Sequence, residues 1–163
     1  MKPTESTDDV ISESVRYLLG TQQNADGGRV QRPRKSRVVT ATQIRELQNN
    51  DKLKDRFVVV DVRSKAESDV SIIPGAITKI EFEQTESQHV DKAVIAYCTI
   101  GYRSGIYVRG LKRKGWNAWN YKGSILNWCK NRLPLTTING ETTKQVHTYN
   151  RWLRVPSEYT AVY

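Results

Sequence analysis

The feature that most constrains this chain is an apolar segment that ends in a cysteine and leads into an amphipathic segment. Residues 93–97, Ala-Val-Ile-Ala-Tyr, have the length and hydrophobicity of a buried β-strand. Between residues 104 and 114, apolar-leaning side chains recur with the i, i+3, i+4, i+7 spacing of one helical face. The pattern therefore predicts a strand, a short loop and a helix, with Cys98 at the end of the strand.

The loop between this strand and helix holds the candidate chemistry. Backbone N–H groups at a helix N-terminus, together with the helix dipole, stabilise negative charge at one spot. A cysteine placed there is expected to have a lowered pKa and to exist largely as thiolate. Gly101 allows the loop to curl, and Arg103 supplies a permanent positive charge for an anionic substrate. Cys98 is therefore the candidate nucleophile.

Elsewhere, short apolar strands alternate with helical segments, a pattern typical of an α/β fold with a mainly parallel sheet. Thr40 is predicted to cap a helix that runs through Leu47. The predicted strands are residues 57–62, 77–82 and 116–121, and a further helix is predicted to begin at Gly123.

Four motifs, in order along the chain, resemble those of rhodanese-like sulfurtransferases. They are residues 57–63 with Glu67, residues 73–76 (Ile-Pro-Gly-Ala), the Cys-x-x-Gly-x-Arg-Ser loop at 98–104, and residues 121–128. The resemblance covers roughly residues 38–135, about three-fifths of the chain. It implies a rhodanese-like α/β fold whose mainly parallel, five-stranded central sheet is flanked by helices on both faces.

The resemblance also implies an activity. Sulfane sulfur would pass from thiosulfate or a similar small anionic donor to a thiophilic acceptor, cyanide or a thiol, through a persulfide on Cys98. The substrate loop would consist of Thr99, Ile100, Gly101, Tyr102, Arg103 and Ser104. In it, Arg103 would orient the donor's anionic end, Ser104 would cap the helix, and Ile100 and Tyr102 would line the mouth. No metal or organic cofactor is expected.

Three charged residues near the end of the strand at 57–62 are expected to support this loop. They are Asp61, Arg63 and Glu67. Open α/β sheets place their sites at the carboxyl ends of strands. The i, i+4 spacing predicts that Arg63 and Glu67 pair at a helix start, and Asp61 is expected to cap nearby backbone. We interpret the three as bracing groups around the loop, not as acid–base catalysts.

The sequence departs from the usual family pattern at three places. Ser71-Ile72 stands where a Gly-His pair is common, Ser68 stands where an aromatic residue is common, and Lys122 replaces a glycine before Gly123. We interpret the missing histidine as a change in packing, so the expected activity is retained.

Segments on both sides extend beyond the resemblance. Residues 1–37 are predicted to be an N-terminal extension with a candidate short helix at 9–19 and a basic linker. Residues 38–135 would be the rhodanese-like domain. Residues 136–163 would be a C-terminal extension that docks on the domain, because its aromatic content argues against disorder. A protein partner could bind through either extension.

Composition bounds the partners and the compartment. The net charge of +9 favours anionic partners, but much of the excess lies in residues 29–37, which we interpret as a solvated tail and not as a nucleic-acid site. Two cysteines make no disulfide framework, and Cys129 is interpreted as a buried small residue in preference to a resolving thiol for Cys98. No signal peptide or apolar run of transmembrane length is evident, so a cytoplasmic protein without a membrane partner is expected.

Other classes of protein stay open. A non-catalytic rhodanese-like module would use the domain and its extensions for binding or regulation. Cysteine phosphatases of related fold hold phosphate in a Cys-x5-Arg loop, whereas Cys98 and Arg103 here give Cys-x4-Arg, one residue shorter. A nucleic-acid-binding protein is suggested by charge alone. Sulfur transfer is the leading interpretation, ahead of the binding module and the phosphatase.

Overall fold

The computed structural model describes residues 11–20 and 38–163 of the 163-residue chain. Short 3-10 helices within these residues are Asp51–Arg56 and Glu86–Gln88. The helices are α1 (Glu13–Leu18), α2 (Ala41–Gln48), α3 (Lys65–Val70), α4 (Lys79–Gln84), α5 (Tyr102–Arg113) and α6 (Ser124–Lys130). The strands are β1 (Phe57–Asp61), β2 (Ile77–Thr78), β3 (Ala93–Tyr97), β4 (Ala118–Asn120), β5 (Leu135–Thr136), β6 (Thr142–Thr143), β7 (Gln145–His147) and β8 (Thr160–Val162).

The central sheet is parallel and has the strand order β2-β1-β3-β4. The predicted α/β architecture is confirmed, with four strands where five were expected. At the edge beside β4, Val38 makes a single parallel bridge to Asn120, and the Val39 amide donates to the Asn120 carbonyl at 3.0 Å. A capping box between Thr40 and Gln43 starts α2 directly afterwards, as the sequence predicted, and it ends the extended segment.

Each face of the sheet has its own core, because side chains alternate along β1 and β3. Val59, Ile95 and Tyr97 pack with buried side chains of α1, α2 and α6. Val60 and Val94, on the opposite face, pack with buried side chains of α4 and α5. Burial on both faces explains why these strands read as continuous apolar runs. It also fixes the carboxyl end of β3, from which Cys98 projects.

The strand predicted at residues 77–82 is wrong beyond its second residue. β2 ends at Thr78, whose hydroxyl accepts the amide of Glu81 at 3.2 Å and so caps α4. Phe82 is fully buried on this helix, whereas Ile80 is 60% exposed. A threonine followed three residues later by a glutamate is a helix-start signal, and here it outweighs the apolar character of the segment.

The N-terminal helix predicted at 9–19 is shorter in the structure, Glu13–Leu18, with Ser12 as its N-cap. Val15 and Leu18 are buried in the core shared with α2. Ser12 also donates to the Glu46 carboxylate through its amide at 2.6 Å and its hydroxyl at 2.9 Å. Residues 9 and 10 of the predicted helix, the predicted linker and the basic run at 29–37 lie outside the described residues.

The C-terminal segment packs along the domain. β5 and β6 form an antiparallel hairpin, β7 and β8 pair in parallel, and β7 lies against α3. Val146 is fully buried, and the Tyr159 hydroxyl donates to the Leu133 carbonyl at 2.6 Å. These contacts hold the chain after β7 beside the carboxyl edge of the sheet. Across the described parts of the chain, no helix has the length and apolar character needed to cross a membrane.

Candidate active site

Cys98 lies immediately after β3, with its thiol beneath the N-terminus of α5. Its Sγ accepts the Gly101 amide at 3.1 Å and contacts the Ser104 hydroxyl at 3.4 Å. The Ser104 hydroxyl has one proton and also faces the Asn120 Oδ1 at 2.7 Å, so it donates to one of the two at a time. Ser104 lies inside α5, and not at its N-cap as predicted; that position is Gly101.

The surroundings of Cys98 favour its thiolate. Burial raises the pKa of the thiol, and the residue is only 1% exposed. The Ser104 hydroxyl and the backbone amides of Ser104, Gly101 and Ile100 lower the pKa by more, so it lies below that of an ordinary cysteine. The lowered pKa expected from the loop and helix pattern is therefore present in the structure.

Gly101 is required by the shape of this loop. Its φ of 95° lies in the left-handed region, which side-chain-bearing residues rarely adopt. A Cβ built on Gly101 would overlap the backbone carbonyl group of Lys122. The loop therefore curls around the sulfur only because the backbone can pass directly against the chain that leads into α6.

Ser124 is a site residue that the sequence reasoning missed. Its hydroxyl accepts the Cys98 amide at 3.0 Å and donates to the Tyr121 carbonyl at 2.9 Å. The Ile125 amide in turn donates to the Cys98 carbonyl at 3.1 Å. The start of α6 thus holds both backbone groups of Cys98. The motif at residues 121–128 was the available signal, but its contact with Cys98 spans the fold.

Arg103 has a partner that the sequence did not predict. Its guanidinium donates to both oxygens of Glu67, at 2.8 and 2.7 Å, and to the Thr99 hydroxyl at 2.9 Å. Burial raises the pKa of the Glu67 carboxyl, but hydrogen bonds from Arg103 and Ser64 lower it to about 2. The predicted Arg63–Glu67 pair is therefore wrong, because Arg103 reaches Glu67 across the loop.

Beside the Arg103–Glu67 ion pair, Asp61 and Arg63 form another, and both of their side chains are fully buried. Arg63 donates to the two Asp61 oxygens at 2.9 and 2.6 Å, and to the Ser71 carbonyl at 2.6 Å. The Asp61 carboxylate also accepts the Arg63 amide at 3.0 Å, which is the backbone cap expected of it. The Tyr97 hydroxyl donates to Asp61 at 2.9 Å. This pair braces the turn at Ser71 and Tyr97, the residue before Cys98.

A cavity of about 260 Å3 opens above Cys98. Its lining residues are Cys98, Thr99, Ile100, Tyr102, Arg103, Tyr149, Asn150 and Leu153. The structure thus brings most of the predicted loop together around the thiol, while Gly101 and Ser104 support it from behind. Asp61, Arg63 and Glu67 do not line the cavity. The last three lining residues belong to the C-terminal segment and were missed; its aromatic content was the only signal.

The guanidinium of Arg103 lies 5.2 Å from the ring centre of Tyr149, a cation–π contact. This contact joins the active loop to the C-terminal segment.

Within residues 11–20 and 38–163, His, Cys, Asp and Glu side chains form no group of three or more that could hold a metal ion.

Comparison with known proteins shows which family this chain belongs to. Residues 40–131, more than half of the chain, match the rhodanese-like domain, and the chain belongs to this family. A tRNA sulfurtransferase of Desulfurococcus amylolyticus is 31% identical over 80 residues, 48% of this chain. The chain spans only 16% of the length of that relative.

Solved structures share the fold. The crystal structure of a rhodanese-related protein from Thermoplasma volcanium has a TM-score of 0.52 and 24% identity, covering 62% of this chain and 98% of that one. A thiosulfate sulfurtransferase from Pseudomonas aeruginosa has a TM-score of 0.53 and 16% identity, covering 68% of this chain and 21% of that one. At these identities the two likenesses show a common fold.

Proposed function

We propose that this chain is a sulfurtransferase that carries sulfane sulfur as a persulfide on Cys98, taken from thiosulfate or a similar donor and passed to cyanide or a thiol. The observation that carries the proposal is the set of donors at the sulfur. The thiol, with its lowered pKa, accepts the Gly101 amide at 3.1 Å and lies at the base of a cavity. Family membership and a relative named as a tRNA sulfurtransferase support this class of chemistry.

The first step is attack of the Cys98 thiolate on the outer sulfur of the donor. A sulfur–sulfur bond forms to Cys98 while the donor's own sulfur–sulfur bond breaks, and the electron pair leaves with sulfite when the donor is thiosulfate. The step needs no proton and no redox partner, because a thiolate and a dianion become a persulfide anion and a dianion. A thiol that is already ionised is therefore the main requirement.

The intermediate is an anion held at a helix N-terminus. The first amides of α5 have no acceptor within the helix, and the helix dipole adds positive potential at the same end. These groups stabilise the negative terminal sulfur of the persulfide. In the second step cyanide or a thiolate attacks that sulfur, and the electron pair returns to Cys98 as thiolate.

Arg103, Thr99 and Glu67 hold the loop in the geometry that this chemistry needs. Glu67 is almost fully buried and has its lowered pKa, so it stays ionised and anchors Arg103 through two hydrogen bonds. We therefore assign Arg103 to positioning the loop. The negative charge of Glu67 reduces the electrostatic attraction between Arg103 and the anionic end of the donor. We also propose a reducing compartment such as the cytoplasm, because both cysteines are free.

Intact mass spectrometry after treatment with thiosulfate tests the proposal. The wild-type protein should gain the mass of one sulfur atom, which cyanide or a thiol should then remove. Cys98→Ser should abolish the gain. Cys129→Ala is the matched control and should retain it, because Cys129 is buried among apolar side chains. Sulfur transfer by the Cys98→Ser protein would refute the mechanism.

A further inference from the structure

The cavity above Cys98 has two walls of different origin. One wall is the active loop, and the other is the turn at residues 149–153, which lies far along the chain in the C-terminal segment. Tyr149, Asn150 and Leu153 form this second wall. A substrate bound at Cys98 therefore meets the C-terminal segment as well as the loop that carries the nucleophile.

The turn at residues 149–153 is held in place by its own hydrogen bonds. The Tyr149 amide donates to the His147 Nδ1 at 3.0 Å, and the Asn150 Oδ1 accepts the amides of Trp152 and Leu153 at 2.9 and 3.1 Å. Tyr149 has a φ of 71°, a left-handed conformation that is unfavourable for a residue with a side chain. Such a conformation persists where the surrounding structure fixes it, and strained residues cluster at ligand sites.

The charge of this cavity does not match a small dianion. Among the described residues that line it, Arg103 is the only cation. Its guanidinium is already bonded to both Glu67 oxygens, and the ring of Tyr149 lies against it. The Arg103–Glu67 pair has no net charge, so the wall offers little to balance two negative charges.

Most of the rest of the cavity surface is apolar or aromatic, and Thr99 and Asn150 are its polar residues. Ile100, Tyr102, Tyr149 and Leu153 line it around the thiol. A cavity of roughly 150 Å3 is enough to hold a benzene ring, so about 260 Å3 leaves room for a ring-sized organic group together with a sulfur head group. Apolar walls stabilise such a group by removing it from water, and they do nothing for an inorganic ion.

We infer that the sulfur donor of this chain carries an apolar organic body and one negative charge, and that Leu153 and Tyr149 select it. This substrate class rests on the proposed function and makes it specific. The anionic sulfur head lies at the loop amides beside Cys98, and the organic body lies between Ile100 and Leu153. An organic thiosulfonate is a donor of this class and serves as the probe.

The transfer from such a donor balances without any further reagent. The Cys98 thiolate attacks the outer sulfur of R–SO2–S⁻ and forms a sulfur–sulfur bond. The donor's sulfur–sulfur bond breaks, and its electron pair leaves with the sulfinate R–SO2⁻. Two singly charged anions become two singly charged anions, so no proton, oxidant or reductant takes part.

The test compares benzenethiosulfonate with thiosulfate as donors in steady-state assays with cyanide as acceptor. Leu153→Ala should lower the ratio of kcat/KM for benzenethiosulfonate to kcat/KM for thiosulfate about tenfold, the size of effect expected for lost apolar contacts in a pocket. Ile138→Ala is the matched control, because Ile138 is an exposed aliphatic residue outside the cavity lining. An unchanged ratio between the donors, or equal losses with both, would overturn the inference.

Tyr149 gives a second, independent readout. Tyr149→Ala should lower kcat/KM for benzenethiosulfonate more than for thiosulfate, whereas Tyr149→Phe keeps the ring and should retain the wild-type ratio. A merely structural role would reduce both donors together, and that result would also count against selection by Tyr149.

Binding to the unreactive Cys98→Ser protein separates this inference from the proposed function. Calorimetry should detect benzenesulfinate, the organic leaving group, and much weaker binding of sulfite. Benzenesulfinate binding without any sulfur transfer by the wild type would support the cavity assignment and refute the proposed function. Transfer from thiosulfate without benzenesulfinate binding would support the proposed function and overturn the inference. If neither benzenesulfinate binding nor sulfur transfer is detected, both the inference and the proposed function are refuted.

Discussion

The two cysteines of this chain lie in the same small domain and are equally hidden from solvent, yet their surroundings differ in kind. Cys98 is 1% exposed and Cys129 is fully buried. Polar donors from the loop and from α5 surround Cys98, and its pKa is lowered. Cys129 packs among apolar side chains of the core, and burial raises its pKa to about 12. Burial alone therefore does not decide whether the pKa of a thiol is raised or lowered.

The difference comes from where each residue lies on its element. Cys98 lies between the end of a parallel strand and the start of a helix, where backbone amides have no internal partners. Cys129 lies one residue before the end of α6, where the amides are already bonded within the helix. A thiolate at the second position would have only distant positive charges, those of Arg63 and Lys144, to offset its burial.

Alkylation of the native protein should separate the two thiols most strongly. Iodoacetamide should modify Cys98 and leave Cys129 unlabelled, with rates that differ on the order of 10³-fold or more, because Cys129 reacts only when the fold opens. The Cys98 rate should rise with pH through a midpoint below that of an ordinary cysteine, because its pKa is lowered and only the thiolate reacts. Peptide mapping measures both rates. Similar labelling of the two residues would contradict the comparison.

Gly101→Ala should remove much of what distinguishes Cys98. The added Cβ meets the Lys122 carbonyl group, so the loop must shift away from the sulfur and its amide donors. We expect persulfide formation to slow by about 100-fold, the effect of a displacement near 1 Å at a reacting centre. Stopped-flow or timed mass spectrometry with thiosulfate would measure it.

Gly110→Ala is the matched control for this loss. Gly110 lies within α5 and does not adopt a positive φ, and no described neighbour lies within 4 Å of the point that an added methyl group would occupy. Alanine there should stabilise the helix by about 0.5–1 kcal/mol and leave the reaction rate unchanged. Equal rates for the two variants would show that the curl at Gly101 is not needed for reactivity.

Ser104→Ala should have a smaller effect on Cys98 than Gly101→Ala. Loss of one hydroxyl donor should raise the pKa of Cys98 by roughly one unit or less, since a hydrogen bond contributes about 1 kcal/mol net. The thiolate fraction at neutral pH falls as a result, and alkylation slows up to about tenfold. Ser71→Ala, at another buried serine whose hydroxyl has no hydrogen-bond partner among the described residues, should leave the Cys98 pH profile unchanged.

Much of the fold could be predicted because its signals are local. The apolar runs of β1 and β3, the cap at Thr40 and the helix after the active loop are each visible in a short window of sequence. The prediction of a strand at residues 77–82 was wrong because it relied on the apolar content of the segment. The capping signal of Thr78 with Glu81 instead starts a helix there. The fifth strand reduces to a single bridge at Val38.

The site divides in the same way. Cys98, Gly101 and the α5 N-terminus could be placed because they are neighbours in sequence. The partner of Glu67 could not be predicted, because both Arg63 and Arg103 were available to pair with it. Arg103 is the partner in the structure, since α3 lies beside the loop that carries Arg103. Ser124 and the cavity wall at Leu153 depend on contacts between distant segments, which no local pattern encodes.

The single proton of the Ser104 hydroxyl has a consequence for how the site responds as the reaction proceeds. That hydroxyl has two acceptors within reach, the Asn120 Oδ1 at 2.7 Å and the Cys98 sulfur at 3.4 Å. In the proposed reaction negative charge moves outward from the inner to the terminal sulfur, and the O–H bond can then rotate from one acceptor to the other. One torsional rotation would thus remove a donor from the inner sulfur as its charge is lost, with every heavy atom left in place.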